Sequence, residues 1–301
     1  MIKRTLYFGN PAYLSTHLDQ VVIKLPDTDE MKTVPIEDTG MVILDHQQIT
    51  ISQALIAKLL ANNIAIITCD STHHPTGLML NLDGHTLQSQ KFQAQIEASK
   101  PLLKQLWQQT IVAKIENQAN LLASQNIEIG NMKRWMQEVK SGDTSNREAR
   151  AAVYYWSKLF TQFPNFTRDR YGEPPNNLLN YGYAILRAIV ARCLVGSGLL
   201  PTLGIFHKNQ YNAYCLADDI MEPYRPFVDK LVLNIINKNG HFIELSTSIK
   251  KELLQIPTLD VEIDGQKSPL LIAVQRTTAS LAKCYGGELR KILYPLLISK
   301  I

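Results

Sequence analysis

Cysteine is scarce and scattered. Cys69, Cys193, Cys215 and Cys284 form no CxxC pair among the 301 residues, which argues against a disulfide framework or a zinc knuckle and favours a reducing compartment, the cytoplasm. Long apolar runs are also missing. None reaches the roughly 18 residues that a bilayer span requires, and the first ten residues turn polar too soon for a signal peptide, so no membrane partner is expected. Glycine (15) and proline (14) are too few for a collagen-like or Pro-rich disordered chain. The sequence contains no GxxxxGK[ST], no GxGxxG opening a helix after a strand, no GxSxG and no HExxH. These absences disfavour a nucleotide-driven motor, a Rossmann dehydrogenase, an α/β-hydrolase and a zincin.

What is present is unevenly charged. Residues 1–84 hold 5 Lys and Arg against 9 Asp and Glu; residues 85–301 hold 26 against 18. An acidic front joined to a basic body hints at a polyanionic partner for the body.

The pattern changes near the same place. Short β-type runs at 4–8, 20–25, 32–35, 41–44, 64–68 and 77–82 are separated by turn signals such as Asn10-Pro11 and Thr39-Gly40. One helix interrupts them at 52–62, with Leu55, Ile56, Leu59 and Leu60 on one face. After Thr86 the period becomes helical. Helices are expected over 88–124 (broken only by Pro101), 129–140, 145–160, 176–195, 213–223, 227–237, 246–255, 268–283 and 287–298, with a β excursion at 261–263. Strands followed by helices indicate an α+β fold, with a small β-rich N-terminal domain (1–84) and a larger all-α C-terminal domain (85–301).

Chemistry concentrates in the second part. His207 emerges from the loop begun by Gly198, and a short helix follows that carries Asp218, Asp219 and Glu222. Spacings of three and four residues bring both aspartates near the glutamate, and a divalent cation would relieve their repulsion. Hard oxygens with one imidazole suit Mg²⁺ or Mn²⁺. A solvated acidic face beside a lone loop histidine explains the same residues. Glu148 follows Ser145 in a Ser-x-x-Glu spelling, which a capping box accounts for without any catalytic role. Tyr154, Tyr155 and Trp156 read as core aromatics rather than base-stacking ones, and the adjacent His73 and His74 as a poor metal pair.

Four ordered stretches carry a resemblance. They are Ser145-Asn146-Arg147-Glu148-Ala149-Arg150-Ala151-Ala152, the Asn-, Tyr- and Leu-rich run 175–186, the segment from Gly198 to His207, and Leu216-Ala217-Asp218-Asp219-Ile220-Met221-Glu222-Pro223-Tyr224-Arg225-Pro226. Together they resemble the CRISPR-associated integrase, the catalytic subunit of the spacer-acquisition complex. The wording Phe206-His207-Lys208-Asn209-Gln210-Tyr211-Asn212 looks most like type II forms. The resemblance implies a divalent metal (Mg²⁺ or Mn²⁺) held by Glu148, His207 and Glu222, with Asp219 close to the site. Many members carry aspartate where this chain has Glu222. It further implies a homodimer, a small ferredoxin-like CRISPR-associated subunit bridging two dimers, and double-stranded DNA as substrate, both incoming spacer DNA and CRISPR repeat. The implied reaction joins 3′-ends into the repeat by transesterification, an antiviral function. The N-terminal domain would then serve dimerisation and partner contacts. A general metal-dependent DNA nuclease and a non-catalytic nucleic-acid scaffold are the alternatives.

Overall fold

The computed structural model describes residues 3–26, 30–164, 166–240 and 244–298, and the chain falls into two units, Met1–Thr86 and Leu87–Ile301. The first contains β1 (Arg4–Phe8), β2 (Ala12–His17), β3 (Gln20–Lys24), β4 (Met31–Pro35), β5 (Thr39–Leu44), β6 (Ile49–Ile51), α1 (Gln53–Ala61), β7 (Ala65–Cys69) and β8 (Pro75–Met79). They make two four-stranded sheets, ordered β1-β5-β7-β8 and β4-β3-β2-β6. In the first, β1, β5 and β7 run parallel and β8 antiparallel. The central strand β5 is buried almost throughout, as a strand covered on both faces must be. Helix α1 begins at Ser52, whose Oγ accepts from the Leu55 amide. It buries Leu55 and Leu59 in a core with Phe8, Leu14, Val42 and Ile66.

Two strands go beyond the sequence reading. β2 alternates apolar Ala12 and Leu14 with exposed Tyr13 and Ser15, too weak a run to stand out in the sequence, and β6 has only three residues.

The second unit is helical, with α2 (Gln88–Ile96), α3 (Lys100–Ser124), α4 (Met132–Gln137), α5 (Arg147–Leu159), α6 (Asn176–Gly196), α7 (Cys215–Met221), α8 (Arg225–Asn239) and α9 (Thr247–Leu253), then a hairpin of β9 (Asp260–Ile263) and β10 (Gln266–Pro269), and α10 (Leu270–Tyr285). The order bears out the α+β expectation. Pro101 does not break a helix over 88–124. The break precedes it, at Ser99, whose Oγ caps α3 by accepting from the Leu102 amide, and Pro101 sits in the first turn, where its missing N–H costs nothing. Residues 287–298 form no helix. They run irregularly along α3, where Asn117 donates to the Pro295 carbonyl and accepts from the Leu297 amide. These bonds satisfy backbone groups that a helix would have paired internally.

Helix α6 is long and apolar enough to cross a membrane by composition, a property the sequence reading did not find. Most of it is buried inside this unit, as befits a core helix.

Where α5, α6 and α8 meet, the Asp229 carboxylate is fully enclosed. Tyr155 donates to one oxygen at 2.6 Å and Tyr183 donates to the other. Burial pushes the Asp229 carboxyl up to about 6, against the opposing pull of the two hydroxyls, Arg225 and Arg168. The folded value lies above the ordinary 3.8. This group's contribution to stability is therefore complete below that ordinary value and is lost as pH rises through about 6. Denaturant melts of the wild type and Asp229→Asn should diverge accordingly. Wild-type stability relative to the variant should fall by about 2–3 kcal/mol as pH rises from about 4 to 7. Parallel curves would show that folding does not raise the Asp229 carboxyl.

Candidate active site

The loop that presents His207 is pinned from two sides. Gln95 of α2 donates to the carbonyls of Leu200 and Leu203 and accepts from the Leu200 amide. Asp219 of α7, completely buried, accepts from the Phe206 amide at 2.9 Å and lies 2.5 Å from His207 Nδ1. Gly204 is required by close approach, because a Cβ there would stand 2.2 Å from the His207 carbonyl oxygen. The hydrogen bond to Asp219 holds the His207 imidazole above its ordinary value. When the ring is neutral with its proton on the Nδ1 that faces Asp219, Nε2 carries a lone pair; Nε2 has no hydrogen-bond partner among the described residues, an arrangement that suits a metal-binding imidazole.

Glu148 stands in the first turn of α5. The expected capping box does not form. Asn146 occupies the cap position in a left-handed conformation, and the Ser145 hydroxyl is buried without a hydrogen bond. Asp143 does the capping instead, accepting from the amides of Arg147 and Glu148 at 2.9 and 3.0 Å. An ionised acceptor is the stronger cap for a helix N-terminus, and its use leaves the Glu148 side chain free to turn inward.

That side chain meets Lys114 of α3, whose ammonium donates to Glu148 Oε1 at 2.6 Å. The same ammonium lies 2.6 Å from Glu222 Oε2. Glu222 follows α7 in a turn held to α3 by Asn117, which donates to the Pro223 carbonyl at 2.8 Å. Its other oxygen lies 2.9 Å from Arg225 Nε. Burial would raise the Glu222 carboxyl, but Arg225 and Lys114 together hold it below the usual range. Burial would likewise push the Lys114 ammonium down, and the two glutamates hold it up. Sequence spacing gave no hint of Lys114, which sits mid-helix in a run rich in Gln, Ala and Leu.

The three acids expected to crowd one another do not. Asp218 turns to Arg187, Asp219 to His207 and Glu222 to Lys114 and Arg225. Glu148 and Glu222 are brought together across one ammonium, with His207 close enough for both to act on its charge. Among the described residues no three His, Cys, Asp or Glu side chains stand as a ready-made metal cluster. The donor set nonetheless fits a divalent cation. Two carboxylates and one imidazole nitrogen suit Mg²⁺ or Mn²⁺, and buried Glu222 Oε2 has its ion-pair contact but no hydrogen bond.

Beside His207, Phe206 stacks on Trp107 of α3 with ring centroids 4.4 Å apart, and half of Phe206 remains exposed. Lys100, Lys104 and Lys208 border this pair. None of the three forms an ion pair among the described residues. Tyr155, by contrast, is a core residue, as expected.

Comparison with known proteins matches residues 6–246 to the family described as CRISPR associated protein Cas1. The CRISPR-associated endonuclease Cas1 of Neisseria meningitidis serogroup C is 35% identical, over 93% of this chain and 91% of that protein. A Cas1 endonuclease of Francisella tularensis subsp. novicida is 25% identical, over 92% and 93%. Among solved structures, a casposase bound to integration product superimposes with a TM-score of 0.80 at 19% identity, covering 97% of this chain and 92% of that one. A Cas1 protein from Thermotoga maritima gives 0.75 at 17%, covering 95% and 98%. A chain of a Cas6-RT-Cas1–Cas2 complex gives 0.75 at 19%, covering 96% of this chain and 36% of that one.

The tie between Asp219 and His207 is open to direct measurement. In Asp219→Asn the imidazole loses an anionic acceptor, so its titration, followed by NMR, should move to lower pH than in the wild type. An unchanged titration would mean that Asp219 does not hold His207.

Proposed function

The chain belongs to the CRISPR-associated Cas1 family, and on that premise we propose that it is the DNA integrase-endonuclease of CRISPR spacer acquisition, with Glu148, His207 and Glu222 as its metal ligands. The observation that carries this reading is the convergence of Glu148 and Glu222 on one ammonium, with His207 close enough for both carboxylates to act on its charge. A divalent ion, Mg²⁺ or Mn²⁺, would supply Lewis-acid polarisation of the scissile phosphate there. Asp219 fixes the ring and tautomer of His207 from behind. Asn117 fixes the turn that carries Glu222. Exchange of one phosphodiester for another conserves bond energy, which agrees with a sequence lacking a nucleotide-binding loop.

The substrate reading is duplex DNA, both incoming spacer and CRISPR repeat. Lys100, Lys104 and Lys208 support it, since they border the Phe206–Trp107 pair next to His207 and have no carboxylate partner among the described residues, which leaves their charge for phosphates. Arg147 and Arg225, near the ligands in sequence, are committed to Glu138 and Glu222. For the first unit we assign homodimer formation and contact with a small ferredoxin-like CRISPR-associated subunit. The open edges of the β4-β3-β2-β6 sheet and the exposed side chains of Tyr13, Leu18 and Met31 support that role. The wording around His207 supports a type II form.

A branched DNA that mimics a half-integrated spacer should be rejoined by the purified chain only when divalent metal is present. Glu148→Ala should abolish rejoining and leave DNA binding largely intact. Random cutting would instead favour a general nuclease, and binding without chemistry, even with the partner subunit added, a scaffold. Replacing Lys100, Lys104 or Lys208 by Ala should weaken binding for all sequences alike and reduce the salt slope by about one for each phosphate left without its lysine. An unchanged slope would remove those lysines from the DNA surface.

A further inference from the structure

Lys114 reaches the two site glutamates from the helix behind them. Each contact is 2.6 Å, and its side chain is only 12% exposed. The surrounding charges are already matched. Arg225 serves the second oxygen of Glu222, His207 is held by Asp219, and Arg187 holds Asp218. The ammonium is thus the one cation, among the described residues, placed between Glu148 and Glu222. A magnesium ion needs its oxygens at about 2.0–2.1 Å, so an ion that took Glu148 Oε1 and Glu222 Oε2 together would need the gap in which Nζ stands. Two cations cannot share that gap at low dielectric.

A lysine suits temporary occupancy. Its ammonium is a point charge on a flexible four-carbon stem, and it pairs with phosphate as readily as with carboxylate. The more open side of the site is that of Glu148 and His207, whose side chains are 24% and 47% exposed.

We propose that Lys114 is a placeholder released by substrate. It keeps Glu148 and Glu222 charged and together in the free protein, and it gives up the gap when a DNA phosphate offers the ammonium another anion. Metal loading and DNA binding are thereby coupled through one side chain, and the coupling is reciprocal. Lys114 is a positioning residue for the ligands, and its presence in the gap restrains the site from taking metal, and so from cutting, away from DNA. The inference rests on the reading above that this site takes a divalent ion and a phosphodiester.

The test is Mn²⁺ binding, read by electron paramagnetic resonance of the free ion. It uses the full chain, with and without a duplex ending in 3′-dideoxy nucleotides, with the DNA-only titration subtracted. DNA should tighten Mn²⁺ binding to the wild type by about tenfold or more. Lys114→Met should bind Mn²⁺ about tenfold more tightly than the wild type without DNA, and gain little when DNA is added. Lys114→Arg, which keeps the charge, should remain a weak binder until DNA is present. In chelator Lys114→Met should melt below the wild type, and Mn²⁺ should raise its melting temperature more. Should Lys114→Met fail to fold, the wild type decides the matter alone: Mn²⁺ binding that is equal with and without DNA overturns the proposal. Equal affinities in wild type and Lys114→Met overturn it too, and leave the integrase reading standing. No Mn²⁺ binding by either protein, with or without DNA, overturns the metal reading of the site along with it.

Discussion

Two glutamates sharing one buried point need a cation between them. Their mutual repulsion rises as water is excluded, and each would otherwise take up a proton or turn away. In this protein the cation is part of the chain. Lys114 lies within 2.6 Å of both Glu148 and Glu222, and much of the second unit is arranged so that it can. Helix α5 is capped by Asp143 and not by its own serine, which frees Glu148 to face inward. The turn after α7 is tied to α3, which brings Glu222 to the same ammonium.

Helix α3 is accordingly more than a core element. Trp107, Lys114 and Asn117 recur at helical spacing along it, and each fixes a different part of the site. Trp107 supports Phe206 and hence the stretch of loop that carries His207. Lys114 gathers the two glutamates. Asn117, fully buried, spends its amide on the carbonyls of Pro223 and Pro295 and the amide of Leu297. A buried polar side chain that satisfies three backbone groups from two distant segments fixes their register more firmly than apolar packing would. The 25 residues of α3 give a rise of about 37 Å, long enough for a single rigid element to reach all three.

The α+β order was legible because the dominant hydrophobic period changes near residue 86, with α1 before that point and the β9-β10 hairpin after it as the exceptions. The proposed ligands Glu148, His207 and Glu222 stood out only as an ordered set of segments, since each alone had an ordinary explanation. The structure undid one of these explanations. Ser145 and Glu148 spell a capping box, but a spelling cannot reveal that an aspartate two residues upstream of the serine competes for the same amides. Lys114 was invisible because a lysine in the middle of a polar-rich helix has a solvated face as its default, and its inward turn depends on carboxylates 34 and 108 positions away. Residues 287–298 misled for a similar reason. Their apolar content suits a helix face, but the bonds that hold them come from Gln109 and Asn117, far off in sequence.

The basic excess of the second unit divides into two kinds of cation. Lys114, Arg147, Arg187 and Arg225 each face a carboxylate at 2.9 Å or less. They organise the protein, and for the most part their charge is not available to a partner. Lys100, Lys104 and Lys208 have no such partner among the described residues and border the aromatic pair next to His207. A count of net charge treats both kinds alike, which is why it gave only a weak pointer to nucleic acid. For the proposed DNA surface the cations without a carboxylate partner are the ones that matter, and these three are the ones grouped beside Phe206. Lys114 belongs to the first kind in the free protein and would pass to the second when substrate arrives. In the proposal that change of partner belongs to one side chain, while Trp107 and Asn117 keep α3 tied to the loop of His207 and the turn of Glu222.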